Sequence, residues 1–421
     1  MDQIEIIGGN PISGEIKISG SKNASLPILA SSLLTNDPIR LYNVPDLSDV
    51  NSMIKLLESL NVESEFKKNV IDLSPKKPKH NYASYDLVRK MRASFLVMGP
   101  LLARYGNAKV SLPGGCAIGD RPINIHLDGF KKMGVRFLIE DGYVIGHIDD
   151  ALKGTKINLP IRSVGATENI MMAATLAIGR TIISNAAREP EIIDLGIFLQ
   201  SMGAKITGLG TDEILVDGVS KLSGSEYSIM SDRIEAGTFI LLVLGCSGSV
   251  KLTSLDERII DNYIEIFKLF KELSFEKISK NKLLIKCSTE NYDAFNIKTK
   301  PYPGFPTDLQ AQLSAVMSKA NGSSIIEETI FENRFMHVAE LNRMGAKMDI
   351  DGSRVKIKGQ KKIFGAPVMA TDLRASSSLI IAGLMAEGKT IINRVYHLDR
   401  GYENIESKLS NCNLKIKRIR N

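Results

Sequence analysis

The chain has no tryptophan, five histidines and only four cysteines among its 421 residues. Four cysteines cannot staple a chain of this length, so a disulfide framework is excluded and a reducing compartment fits. No cysteine is spaced with another cysteine or a histidine as a metal site requires, so no metal site is expected. Long apolar runs are also missing. The longest, Phe239 to Cys246, is too short to span a bilayer. The start, Met1-Asp-Gln-Ile-Glu-Ile-Ile, carries an early acid and no apolar core ahead of a small-residue cleavage site. No secretory signal is therefore expected, and a cytoplasmic location is. Neither GxGxxG nor GxxxxGK[ST] occurs, which argues against an ordinary nucleotide-binding fold. Charge of one sign is scarce too: 54 Lys plus Arg against 47 Asp plus Glu leaves +7. That excess suits an anionic small molecule. Basic residues are not interleaved with aromatics, so no nucleic-acid partner is expected.

What is present is ordinary globular composition, 43% apolar and 24% charged, which excludes disorder. Six segments share one pattern of β-rich start, polar turn, amphipathic helix and second β-rich stretch. They begin at Ile39, Lys109, Thr181, Ser249, Ser324 and Thr390, at spacings of 70, 72, 68, 75 and 66 residues. A near-constant period marks a repeat architecture. A second, almost wholly apolar helix is predicted before each copy, over 21–34, 85–103, 165–179, 233–246, 307–320 and 372–386. A helix apolar all round is buried, so each unit should hold one interior and one half-exposed helix. In the third unit Ile193, Leu195, Ile197, Leu199 and Met202 define one broad apolar face. The fold class is α/β. Since single cores stop growing near 250–300 residues, two domains of three units are expected. The predicted domains are 21–229, and 1–20 plus 230–421, the first residues pairing with the last unit.

Unusual residues gather at helix starts and turns, where free N–H groups and the helix dipole favour anions. Lys22 opens the first interior helix, where a cation is badly placed unless an anion offsets it. Arg92 lies among apolar residues of the second. Leu112-Pro-Gly-Gly-Cys116-Ala-Ile-Gly-Asp-Arg121-Pro122 is a glycine-rich loop with a thiol near an arginine, the setting that lowers a thiol pKa. Cys246, Cys287 and Cys412 lie in apolar or strand-like runs and read as inert. Asp308 ends a rigid Pro301-Tyr-Pro-Gly-Phe-Pro run. It is either a helix cap or a carboxylate serving chemistry. Asp372 and Arg374 open the last interior helix, and Arg400 sits in the last turn. Lys22, Arg92, Arg121, Arg334, Arg374 and Arg400 form a set of cations suited to a phosphorylated substrate.

These residues carry a resemblance that covers the whole chain. Its pieces are Ser21-Lys-Asn-Ala24, Lys90-Met-Arg-Ala-Ser94, Leu112-Pro-Gly-Gly-Cys-Ala-Ile-Gly119 with Arg121-Pro122, and Ser163-Val-Gly-Ala-Thr167. Ala187-Arg-Glu-Pro-Glu191, Phe305-Pro-Thr-Asp-Leu-Gln310, Phe331-Glu-Asn-Arg-Phe-Met-His337, Ala370-Thr-Asp-Leu-Arg-Ala-Ser376 and Asp399-Arg-Gly-Tyr402 complete it. The chain resembles the enolpyruvyl transferase family, and within it the branch acting on UDP-N-acetylglucosamine in peptidoglycan synthesis. The Cys loop separates that branch from the shikimate-type transferases.

The resemblance implies two domains, each of three β-α-β-α-β-β units with helices inside and sheets outside. It implies transfer of enolpyruvyl from phosphoenolpyruvate to the 3-hydroxyl of UDP-N-acetylglucosamine, with phosphate release and no cofactor. Cys116 matches the family's general acid, the thiol that fosfomycin alkylates, and Asp308 the base or positioner of the sugar hydroxyl. Lys22, Asn23, Arg121 and Arg400 match the residues holding phosphoenolpyruvate. Arg92, Arg121, Pro122, Ile123, Asn124, Ile125, Ser163, Val164, Gly165, Asp308 and Ile330 fall where the family binds the UDP-sugar. Arg334, Asp372 and Arg374 fall near the carboxylate. Loop 112–121 is expected to close as a lid. Two departures stand out: Asn124 replaces a common Asp, and Ile161 a common Lys, with Arg162 beside it. The oligomeric state stays open.

Overall fold

The computed structural model describes residues 2–112 and 123–420. Cys116, Arg121 and Pro122, and with them most of loop 112–121, lie outside the described residues. The chain divides into two compact units, one of residues 20–112 and 123–230, the other of residues 2–19 and 231–420. Each holds three four-stranded sheets of one design.

The third repeat shows why the sequence folds this way. Strand Lys156–Asn158 pairs parallel with Arg180–Ser184, and that strand pairs antiparallel with Glu213–Asp217, whose other edge takes Lys205–Thr207. A parallel pair needs a crossover, and the interior helix Val164–Ala174 supplies it. Ile183, Ile214, Val216 and Ile206 are buried while their neighbours face outward. That period of two gives each sheet one wet face and one packed on helices. The same order recurs in the fifth repeat, Ile297–Lys298, Ser323–Glu327, Arg354–Lys358 and Lys347–Asp351. In the last sheet the third place is taken by Gln3–Ile7, paired antiparallel with both Lys389–Asn393 and Lys415–Ile419.

The interior helices are wrapped by these sheets. Arg233–Cys246 is buried at every residue, and it packs against Gln310–Met317 and Leu373–Met385. In the other unit Met98–Tyr105 packs on Val164–Ala174. Gly99 permits that approach, since a Cβ there would lie 2.4 Å from the carbonyl oxygen of Asn169. The fold is thus mixed α/β with helices inside and sheets outside. No helix among the described residues is long and apolar enough to cross a membrane.

Three expectations need correction. The helix predicted over 85–103 is broken into Tyr85–Val88, a 3-10 turn at Arg92–Val97 and the helix Met98–Tyr105. Pro100 has no N–H to donate, which costs least in a helix's first turn, and the helix Met98–Tyr105 places it there. Arg92 therefore opens a turn rather than lying inside a helix. In the third repeat the second helix, Pro190–Ser201, is not half-exposed. Ile192, Leu195, Phe198 and Leu199 are buried, whereas Ile197, expected on the apolar face, is 38% exposed. Asp194 is also buried there because it accepts hydrogen bonds from the Tyr227 hydroxyl and the Met230 N–H.

Candidate active site

Four interior helices start on a side-chain cap. Ser21 and Ser163 each accept from one N–H of the first turn, and Asp232 and Asp372 each accept from two. Asp372 is thereby accounted for: it bonds the N–H groups of Arg374 and Ala375 and fixes the helix that carries Arg374.

Asp308 breaks this rule. It lies in the 3-10 turn Thr307–Leu309 ahead of Gln310–Met317, and Pro306 takes the cap position without a side-chain bond. The capping reading of Asp308 is therefore wrong. Its Oδ1 instead accepts from Arg334 Nη2 at 2.5 Å and Arg374 Nε at 3.2 Å. Both arginines are buried, at 6% exposure each. Among the described residues Oδ2 accepts no hydrogen bond, and the side chain keeps 23% exposure. Burial pushes the Asp308 carboxyl up, but the guanidiniums of Arg374 and Arg334 outweigh it and hold the carboxyl well below its usual range. For Arg374, burial works against the charge and Asp308 more than restores it. The turn is braced from behind, since Gln312 Nε2 donates to the Asp308 carbonyl, the Thr238 hydroxyl and the Tyr402 hydroxyl.

Ile330 is half-buried just beyond strand Ser323–Glu327. Arg400 ends the 3-10 turn Val395–Arg400, which packs on Leu373–Met385. The neighbouring Asp399 is bound by Arg418.

In the other unit Lys22 is the first residue of helix Lys22–Ala30. Its Nζ lies 3.3 Å from Oδ2 of Asp49, a buried acid in the first turn of Ser48–Ser59. Lys22 is 13% exposed, so the repulsion expected from the helix dipole is offset internally. Asn23 beside it is half-buried.

Ser163, Val164 and Gly165 form the start of Val164–Ala174, with Val164 exposed. His126, which the sequence did not single out, reaches this start. A Cβ on Gly165 would lie 3.3 Å from its ring. His126 Nδ1 is 3.2 Å from Asn169 Nδ2, and its ring meets Phe95 edge-on. Burial, with the Arg92 charge adding to it, pushes the His126 pKa down to about 3, so the ring is neutral. Ile123 precedes and Asn124 opens the helix Asn124–Lys132; Asn124 is exposed and Ile125 half-buried.

Arg162 ion-pairs with Asp212, which Arg188 also approaches at 3.7 Å. Glu168 is 4% exposed, and burial together with Glu191 and Glu189 raises its pKa well above the usual value. Periodicity marks position 168 as interior and reveals nothing of its charge.

The structure therefore brings Asp308, Arg334 and Arg374 into contact, with Asp372 supporting them. It places Arg92 and Ser163 to Gly165 around His126, and pairs Lys22 with Asp49. A cavity of about 880 Å³ elsewhere, bordered by Lys77, Tyr82, Arg104 and Lys109, includes none of these residues. Cys246, Cys287 and Cys412 are buried free thiols. Burial raises all three, Cys246 to about 12 and Cys412 to about 11, which leaves them poor nucleophiles.

Two solved structures share the fold. The enolpyruvyl transferase NikO from Streptomyces tendae superposes with a TM-score of 0.88 at 21% identity, over 99% of this chain and 98% of that one. EPSP synthase from Acinetobacter baumannii gives 0.77 at 18% identity over the whole of both. The family model for EPSP synthase (3-phosphoshikimate 1-carboxyvinyltransferase) matches residues 6–409. The class is thus the enolpyruvyl transferase fold. Proteins named UDP-N-acetylglucosamine 1-carboxyvinyltransferase are far closer. Those of Pelagibacter ubique and Thermodesulfovibrio yellowstonii are each 52% identical over the full length of both chains. That of Coxiella burnetii is 48% identical over all of this chain and 96% of the relative. The chain belongs to the UDP-N-acetylglucosamine 1-carboxyvinyltransferase family.

Proposed function

We propose that this protein transfers the enolpyruvyl group of phosphoenolpyruvate to the 3-hydroxyl of UDP-N-acetylglucosamine and releases phosphate, the committed step toward peptidoglycan. The observation that carries this reading is the 52% identity over the full chain to relatives bearing that name. The reaction is an addition followed by an elimination. Carbon 3 of phosphoenolpyruvate gains a proton as the sugar oxygen bonds to carbon 2, giving a tetrahedral ketal. Loss of a methyl proton and departure of phosphate restore the double bond.

In this reading Cys116 donates the proton to carbon, and Lys22, Asn23, Arg121 and Arg400 hold phosphoenolpyruvate. Its several negative charges need that many donors. Arg92, Arg121 to Ile125, Ser163 to Gly165 and Ile330 receive the sugar nucleotide. Asp308 takes the 3-hydroxyl on Oδ2, the oxygen its arginines leave open. A carboxyl held well below its usual range is a weak proton acceptor. Asp308 therefore orients the hydroxyl and steadies charge there, and takes the proton only in passing. Arg334 and Arg374 fix its geometry, and Asp372 fixes Arg374. The proposed location is the cytoplasm.

Phosphate release should require phosphoenolpyruvate and UDP-N-acetylglucosamine together, and should cease when either is omitted. Release with shikimate 3-phosphate in place of the sugar nucleotide would overturn the substrate assignment. Fosfomycin should add one drug mass to the peptide holding Cys116, and Cys116→Ala with near-full turnover would remove the general-acid role.

A further inference from the structure

Glu328 lies one residue beyond strand Ser323–Glu327 and is 2% exposed. A buried acid must find donors, and this one finds four at three places in the chain. Oε1 accepts from the Ile330 N–H at 2.8 Å, the Phe331 N–H at 3.2 Å and the Thr299 hydroxyl at 3.0 Å. Oε2 accepts from the Thr307 hydroxyl at 2.8 Å. A threonine hydroxyl has one proton and two lone pairs. With its proton committed to Glu328, Thr307 turns a lone pair toward Arg334, whose Nη1 donates to it at 2.9 Å. The other amino group of Arg334, Nη2, holds Asp308 Oδ1.

The route is continuous: Ile330 peptide, Glu328, Thr307, Arg334, Asp308. The turn is held from the far side as well. The Thr329 N–H donates to the Thr299 hydroxyl and the Thr329 hydroxyl to the Thr299 carbonyl. The Phe331 ring lies 5.0 Å from the Arg334 guanidinium carbon. A carboxyl needed merely to close its own turn would be satisfied by the two peptide N–H groups. This one spends its second oxygen on the residue before Asp308.

We propose that Glu328 is a positioning residue for the acceptor sugar, locking the Ile330 turn to the Thr307–Asp308 turn so that both meet one sugar nucleotide in fixed register. The inference rests on the roles given above to Asp308 and Ile330. Glu328 touches no reacting atom.

The test varies each substrate separately with the full-length protein. Glu328→Ala should raise KM for UDP-N-acetylglucosamine by about tenfold and lower kcat by a similar factor, while KM for phosphoenolpyruvate stays within about twofold. Glu328→Gln keeps a carbonyl oxygen for the Ile330 and Phe331 N–H groups, so it should return the sugar-nucleotide KM to near the parent value. Thr307→Val cuts the link to Arg334 and leaves the turn tied; it should lower kcat with little change in that KM. The double variant Glu328→Gln/Thr307→Val should lose no more kcat than Thr307→Val alone, because both cut one connection. Equal rises in both KM values, multiplicative losses in the double variant, or parent-like kinetics for Glu328→Ala would each overturn the proposal. If Glu328→Ala fails to fold, the near-isosteric Gln and Val variants decide alone. Asp308→Asn keeps the two readings apart. Its retained turnover would end the assignment of Asp308, whereas an inactive Asp308→Asn beside parent-like Glu328 variants would end this one.

Discussion

Asp308 and Glu168 are acids near the starts of interior helices, one in each unit, and their carboxyls are shifted in opposite directions. Burial pushes both carboxyls up. Asp308 faces two guanidiniums and is held ionised, well below its usual range. Glu168 faces Glu191 and Glu189 and is pushed well above it. Burial sets the cost of charge, and the sign of the neighbours decides whether it is met. A repeated helix-start scaffold thus holds one carboxyl well below its usual range and another well above it.

The strongest way to break this comparison is Asp308→Asn. Turnover should fall about a hundred- to ten-thousandfold, the range lost with a positioned catalytic carboxylate, as read by phosphate release. Next is Arg374→Met, which leaves Asp308 with one cation and should cost about 3 kcal/mol in chemical denaturation. Its pH signature has a definite sign. A depressed carboxyl contributes stability above its unfolded pKa, near 3.8, and loses it as pH falls through the lower folded value. Arg374→Met should therefore move acid unfolding to higher pH, and an unmoved acid limb would show that Arg334 alone sets Asp308.

Glu168→Gln sharpens the other half. Here the folded pKa is raised, so the contribution is present at low pH and drains as pH climbs from about 4.5 toward the folded value. The variant should flatten the stability-versus-pH curve above about pH 4.5 and gain stability relative to the parent as pH rises. An unchanged slope would mean that Glu168 is ionised. The smallest effect belongs to Arg162→Ala. This arginine already pairs with Asp212, which is 62% exposed. Its loss should change stability by less than about 0.5 kcal/mol and the sugar-nucleotide KM by less than about twofold. A larger rise in KM would make Arg162 the substitute for the lysine that Ile161 displaces.

Much of this architecture was legible because it repeats. A spacing near 70 residues exposed the six units, and apolar bodies behind Ser or Asp marked the interior helices. The place of Pro100 in the first turn of Met98–Tyr105 could have been read from the sequence. Other features depend on partners far away in sequence. Ile197 lies on the outer face with Gln200 and Ser201, and Asp194 is buried by partners at Tyr227 and Met230. Asp308 looked like a cap as much as a functional acid until Arg334 and Arg374, 26 and 66 residues on, were seen on Oδ1. Glu328 and His126 carry no local signal, since one reads as the end of a strand and the other as one more helical residue.

The strand Gln3–Ile7 has a consequence for how the molecule is made. It fills the middle of a sheet whose other members lie between Pro367 and Ile419. The unit of residues 20–230 can fold once its own stretch has left the ribosome. The other unit cannot be completed until the last strand arrives, although its first strand was synthesised first. At about 5–20 residues per second, the leading strand waits some tens of seconds with its hydrogen-bonding edges unpaired. Its alternating pattern, with Glu5 between Ile4 and Ile6, puts a charge on one face during that wait, and charges on open strands discourage pairing with the wrong chain. A unit closed by Gln3–Ile7 between Lys389–Asn393 and Lys415–Ile419 also makes the loss of Gln3–Ile7 costly to it.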